Sequence, residues 1–145
     1  MNKEPLLEKT RTSSHAAAGK KILIVDDDDF MRYAISYRLK EEGFSVLSAS
    51  DGGQAIELIN EKQQHPDLIL LDLMMPYISG VEFLHLIREK YPLEKAIPVI
   101  IISSLGQQEV QDGGYKLEGY HFIEKPIALD ELVHWINHFL AYGEN

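Results

Sequence analysis

Short aliphatic runs alternate with longer mixed stretches along most of the chain, and this alternation predicts the fold. Five runs rich in aliphatic or β-branched residues follow one another, and they read KILIV, FSVLSAS, PDLILLD, IPVIIISS and HFIEKP. Runs of this length with few polar interruptions are typical of strands buried on both faces. Strands that alternate with helices form right-handed βαβ units. The expected fold is therefore α/β, with a doubly wound five-stranded parallel sheet and helices on both faces.

The stretch after the first strand carries the periodicity and the boundary signals of a helix. Residues 30–42 are predicted as this helix, with Asp28 or Asp29 as its N-cap and Gly43 as its stop. The residues that recur at helical spacing are Phe30, Ala34 and Tyr37, and also Met31 and Ile35.

Further helices are predicted between the later strands. DGGQAIELINEKQQ follows the second strand, and Ser79 and Glu82 have capping-box spacing after the third. Residues 129–142 form the last helix, with an apolar stripe. Between Ser104 and Gly119 the helix is expected to be short, frayed or broken, because interior glycines each cost about 1 kcal/mol of helix stability.

Composition and charge restrict the classes of function. The 145 residues suit one domain, and the net charge of −9 argues against direct nucleic-acid binding. No apolar run is long enough to cross a membrane, and the absence of cysteine is compatible with a cytoplasmic location. We expect residues 1–19 to form a flexible leader, residues 20–142 the domain and residues 143–145 a tail.

Polar side chains stand where the predicted strands end. Asp26 and Asp27 follow the first strand, Asp72 ends the third, Ser103 the fourth, and Lys125 follows the fifth. In a doubly wound sheet these carboxyl ends line the functional crevice. Clustered carboxylates require a cation, and hard oxygen ligands suit Mg²⁺. A metal and a lysine together receive a phosphoryl group, so the set predicts phosphoryl transfer onto an aspartate.

The same motifs carry a family resemblance over residues 20–142. ILIVDDDD, LILLDLMMP, IPVIIISS and FIEKP resemble, in order, those of receiver domains of two-component response regulators. The resemblance implies a flavodoxin-like sheet of strand order 2-1-3-4-5. It also implies that Asp72 accepts a phosphoryl group from a histidine kinase or a histidine phosphotransfer protein. The chain would then be a signalling switch that catalyses only its own phosphorylation and dephosphorylation.

The resemblance further implies roles for individual residues. Asp26, Asp27 and Asp72 would hold Mg²⁺ together with the main-chain carbonyl of Met74. Ser103 and Lys125 would contact the phosphoryl oxygens, and the peptide bond between Lys125 and Pro126 would be cis.

Three positions have consequences for the switch. Phe122 matches an aromatic position that moves inward together with Ser103, and without a phenol hydroxyl its switch must be one of packing. Met74 and Leu105 are apolar where polar residues could orient an attacking water. Slow spontaneous hydrolysis of the phosphorylated state is therefore our hypothesis.

Other functions compete with this interpretation. A haloacid-dehalogenase-type phosphatase would use Asp26 as nucleophile and Asp28 as acid/base, but the further acidic pair that it needs is missing from the expected place. A receiver-like scaffold that is never phosphorylated is a third hypothesis. His134 and His138 have the spacing of a metal pair without an evident third ligand, so a solvated helix face is the preferred interpretation. The sequence identifies neither the output partner nor a missing output domain.

Overall fold

Five parallel strands and five helices alternate in the part of the chain that the structure describes. The computed structural model describes residues 19–60, 64–73, 80–90, 97–112 and 120–142. Its elements are β1 (Lys21–Val25), α1 (Asp29–Glu41), β2 (Ser45–Ala49), α2 (Gly52–Asn60), β3 (Leu68–Asp72), α3 (Gly80–Lys90), β4 (Val99–Ser103), α4 (Gln107–Asp112), β5 (His121–Glu124) and α5 (Leu129–Tyr142).

The strands form one sheet in the order β2-β1-β3-β4-β5, and every pair is parallel. This confirms the predicted α/β fold and its strand order. Val25 pairs with Leu71, Asp72 with Ile102, and Ser103 with Glu124. The register therefore brings the ends of β1, β3, β4 and β5 to the same edge of the sheet.

Each face of the sheet is covered by its own apolar cluster. Successive side chains of a strand point to opposite faces, so β1 sends Ile22 and Ile24 to one cluster and Leu23 and Val25 to the other. The first cluster also takes in α1 and α5, and the second takes in α2, α3 and Val110 of α4. Burial on both faces explains why the strand sequences are aliphatic almost throughout.

Helix α1 has the predicted N-cap, and its C-cap Glu42 is followed by the predicted stop Gly43, but it buries a different set of residues from the aromatic repeat. The Asp28 side chain caps its N-terminus by accepting from the Met31 N–H at 3.1 Å. Ile35 and Leu39 form the fully buried side. The large aromatics are exposed, at 79% for Phe30, 71% for Tyr33 and 59% for Tyr37. The spacing of Phe30 and Tyr37 marks the helix without marking its core face.

The later helices agree with their sequence signals. Helix α4 is short, as expected for this glycine-rich region, and residues 113–119 lie outside the described residues, as does the cap residue Ser79. Helix α5 spans the predicted residues and buries Leu132 and Ile136 completely. None of the helices that the structure describes is both long and apolar enough to span a membrane.

Candidate functional site

Three carboxylates meet at the carboxyl edge of the sheet. One ligand oxygen each from Asp26, Asp27 and Asp72 lies within 4.8 Å of the others. Asp26 and Asp72 are buried while Asp27 is exposed, so the cluster has a closed side and an open side. It is the one group of three acidic or histidine residues with this proximity among the residues that the structure describes.

Asp26 is held through both its main chain and its side chain. Its N–H donates to the Ala49 carbonyl at 3.1 Å, which continues the β1–β2 pairing by one residue. Oδ1 accepts from the Asp28 N–H at 2.9 Å, and Oδ2 lies 3.1 Å from Lys125 Nζ. This Oδ2 is buried and accepts no well-aligned hydrogen bond among the described residues, so the contact with Lys125 is an ion pair by distance alone. A buried carboxylate oxygen that accepts no hydrogen bond is suited to bind a cation.

Lys125 supplies the positive charge of the site. Its Nζ lies 3.1 Å from Asp26 Oδ2 and 3.6 Å from Asp72 Oδ2. Burial by itself would lower the pKa of this ammonium, but the carboxylates of Asp26 and Asp72, with a smaller effect from Asp28, raise the pKa above its usual value. The Lys125 N–H donates to the Ser103 carbonyl at 2.8 Å, which extends the β4–β5 pairing, and the Lys125–Pro126 peptide is cis, as the resemblance implied.

Ser103 is the last residue of β4, and Phe122 lies on the neighbouring strand β5. Ser103 is fully buried, and its Oγ accepts from the Leu105 N–H at 3.1 Å. Phe122 is half-buried and packs, as Leu105 does, against the apolar cluster under α2 and α3. The Ser103 hydroxyl is thus hydrogen-bonded to the loop that leads from β4 into α4.

The donor set fits the predicted metal. Three carboxylates provide hard oxygen ligands, and the exposed Asp27 leaves one side open for water or for substrate oxygens, as Mg²⁺ requires. Met74, whose carbonyl was predicted as a further ligand, lies outside the described residues. The structure thus brings together Asp26, Asp27, Asp72 and Lys125.

Two residues of this region were not recognised from the sequence. Gly80, the first residue of α3, packs directly against the end of β3, and a Cβ there would lie 2.5 Å from the Asp72 carbonyl oxygen. Arg32 of α1 donates from Nη1 to the Asp26 carbonyl at 2.7 Å. The available signals were a glycine at a helix start, and a cation in a helical turn where acidic residues are favoured.

The remaining acidic and histidine candidates have structural partners. Asp28 caps α1, and Asp29 Oδ1 accepts from Arg32 Nη2 at 2.5 Å. His134 and His138 flank the Trp135 ring, with centroid distances of 5.2 Å and 5.5 Å. Neither histidine belongs to a metal-binding group of three among the described residues.

Comparison with known proteins identifies the family. A sequence model of the response regulator receiver domain matches residues 22–137. The chain belongs to the response regulator receiver family. Receiver domains are signalling domains of two-component systems that interact with histidine kinases or phosphotransfer proteins, and they bind Mg²⁺ at an acidic pocket.

Three similar proteins illustrate the relationship. TcrX, a probable transcriptional regulatory protein of Mycobacterium tuberculosis, is 31% identical over 77% of this chain and 46% of its own length. The receiver domain of Francisella response regulator 1452 is 32% identical, with a TM-score of 0.73 over 85% of this chain and 98% of that one. TrrA of Thermotoga maritima, solved in complex with Mg²⁺ and BeF, is 27% identical, with a TM-score of 0.65 over 82% of this chain and 97% of that one. This receiver chain thus spans about half the length of TcrX.

Proposed function

We propose that this receiver domain is a phosphorylation-controlled switch in which Asp72 accepts a phosphoryl group from a phosphohistidine. The donor is a histidine kinase or a histidine phosphotransfer protein. The observation that carries the proposal is the meeting of Asp26, Asp27 and Asp72 within 4.8 Å, beside Lys125 Nζ. The active domain is assigned to residues 20–142.

The transfer replaces one bond by another at phosphorus. A carboxylate oxygen of Asp72 attacks as the bond from phosphorus to the donor imidazole nitrogen breaks, and the nitrogen keeps the electron pair. The product is an acyl phosphate on Asp72. Mg²⁺, held by Asp26, Asp27, Asp72 and the Met74 carbonyl, would neutralise negative charge on the transferring group when bound.

Residues of the chain itself offset the charge that arrives. The Lys125 ammonium, 3.6 Å from Asp72 Oδ2, is placed to pair with a phosphoryl oxygen on that carboxylate. The Ser103 hydroxyl donates to a second phosphoryl oxygen, which draws the β4–α4 loop inward and lets Phe122 repack. Because Met74 and Leu105 are apolar at the positions where polar residues could orient an attacking water, the phosphorylated state is long-lived. Loss of the label within seconds in purified protein would refute this last point.

The signal passes to an output partner or to an output domain outside this chain. No catalysis beyond the domain's own phosphorylation and dephosphorylation is assigned. The residue that carries the phosphoryl group distinguishes the two hypotheses. It is Asp72 in this proposal and Asp26 in a phosphatase that uses Asp26 as nucleophile.

Labelling with acetyl phosphate and Mg²⁺, followed by peptide mapping of the trapped acyl phosphate, tests the assignment. The Asp72 peptide should carry the label, and Asp72→Asn should abolish it. Asp130→Asn is the matched control, because this carboxylate is 91% exposed on α5 and should leave labelling unchanged. Label on the Asp26 peptide would contradict the proposal and support the phosphatase.

A phosphoryl mimic tests the same site without chemistry. Beryllium fluoride with Mg²⁺ should bind the wild type and should fail to bind Asp72→Asn. Absence of binding to the wild type would favour a receiver-like scaffold that is never phosphorylated.

A further inference from the structure

Arg32 is a cation placed in the first turns of α1, where the helix macrodipole favours acidic residues. Its side chain is only 18% exposed, and it returns across the helix start to the end of β1. Nη1 donates to the Asp26 carbonyl at 2.7 Å, and Nη2 donates to Asp29 Oδ1 at 2.5 Å. The two branches of one planar guanidinium thus connect both ends of the acidic run.

The carbonyl that Arg32 holds belongs to the peptide between Asp26 and Asp27. Because a peptide unit is planar and rigid, fixing its oxygen also fixes the direction in which the chain enters Asp27. The other contacts of Asp26 come from main-chain groups of Ala49 and Asp28 and from Lys125. Lys125 is already assigned to the phosphoryl group, so Arg32 is the one side-chain anchor of Asp26 among these contacts that is without a proposed role in the chemistry.

We infer that Arg32 is a positioning residue, which orients the Asp26–Asp27 peptide so that both carboxylates face one cation. The inference rests on the proposed function, since it takes Asp26 and Asp27 as metal ligands. Arg32 itself touches neither the metal nor the phosphoryl group in this assignment. Groups that orient metal ligands in this way usually change metal affinity by about 10–100-fold when they are removed.

A positioning role and a purely electrostatic role of Arg32 predict opposite changes in Mg²⁺ affinity when the side chain is removed. If Arg32 acted only through its charge, its removal would relieve repulsion of Mg²⁺ and tighten binding. If Arg32 acts by holding the peptide, its removal weakens binding although a repelling charge has gone. The direction of the change in Mg²⁺ affinity therefore distinguishes the two effects.

Calorimetric titration of the intact chain with Mg²⁺ alone provides the measurement. Arg32→Gln should weaken Mg²⁺ binding by about tenfold. Arg32→Lys should weaken it as well, because one ammonium cannot reproduce the two-branched contact of a guanidinium. Arg38→Gln is the matched control, since Arg38 lies on the same helix and makes ion pairs with Asp130 and Glu42 away from the site. It should bind Mg²⁺ within about twofold of the wild type.

Each result supports or overturns the inference. Mg²⁺ affinity of Arg32→Gln equal to or above that of the wild type would overturn it, provided that Asp27→Asn weakens binding as the metal site requires. If the wild type shows no saturable binding, or if Asp27→Asn binds equally well, the metal-site proposal fails and this inference fails with it. If circular dichroism shows that Arg32→Gln is unfolded, Arg32→Lys decides the question by the same readout. If neither arginine variant folds, Arg32 is required for folding as a whole, and the inference of a positioning role is overturned.

Discussion

Replacing Gly80 by alanine tests how closely α3 must approach the phosphoacceptor strand. The added Cβ would lie 2.5 Å from the Asp72 carbonyl oxygen and 2.6 Å from the Leu73 Cα, whereas ordinary contacts begin at 3.4 Å. Both neighbours are main-chain atoms, so they cannot rotate away as a side chain can. The start of α3 must therefore move away from β3 by roughly 1 Å.

The expected cost follows from two opposing effects. Overpacking of this kind costs about 1–3 kcal/mol. Alanine recovers at most about 1 kcal/mol relative to glycine in a helix interior, and less at the first helical residue. We expect Gly80→Ala to lower the free energy of unfolding by about 1–2 kcal/mol. The peptide that the added Cβ would contact follows Asp72 directly, so labelling by acetyl phosphate should also be slower.

Urea unfolding followed by far-UV circular dichroism measures the first effect, with an unchanged m-value as the sign that the unfolded state is comparable. Gly19→Ala is the control. Gly19 has a φ of +82° and no atom within 4 Å of an added Cβ, so its cost of about 1–2 kcal/mol is purely conformational and labelling should not change. A Gly80→Ala protein as stable as the wild type, with normal labelling, would refute the close-packing argument.

Three further predictions concern charge and burial. Burial against its neighbours lowers the pKa of His121 from its ordinary 6.5; Glu131 opposes this shift and His138 adds to it. Below pH 6.5 the unfolded chain then binds more protons than the folded one, so the free energy of unfolding decreases as the pH falls from 6.5 through the folded pKa. In His121→Gln the urea midpoint should therefore depend less on pH in that range. The raised pKa of Lys125 has the opposite consequence: its stabilisation is lost as pH rises above 10.5 through the folded pKa, and Lys125→Met should lack this loss. Leu39→Ala should cost about 2–5 kcal/mol in urea unfolding, whereas Tyr33→Ser should change stability by less than about 0.5 kcal/mol. Equal costs would mean that the buried side of α1 is wrongly assigned.

Much of the site could be predicted from the polar residues at the ends of the strands. Asp26 follows an apolar run directly, Asp72 ends one and Lys125 follows the last residue of β5, and parallel strands in register bring such residues to one edge. Their proximity was therefore predictable without coordinates, although their chemical roles stay predictions. The N-cap Asp28 and the last helix were also predictable, because caps and periodicity act within a few residues of sequence.

Longer-range contacts were not predictable in this way. Phe30 and Tyr37 recur at helical spacing as regularly as core residues do, yet they are exposed. Which side of α1 is buried depends on how the helix lies against β1 and α5, and periodicity cannot supply that. Likewise, Gly80 and Arg32 gain their importance only from main-chain atoms of other segments, at Asp72 and Asp26.

By itself the sequence determined the order of elements, the two-sided burial of the strands and the identity of the residues at their ends. The reason is that hydrophobic periodicity and the alternation of strands with helices are set by residues that are close together in sequence. Only the tertiary structure decided which side of α1 faces solvent, how closely α3 approaches Asp72 and which side chain holds the Asp26 peptide. Those features depend on contacts of a few ångströms between segments that are packed together by the whole core.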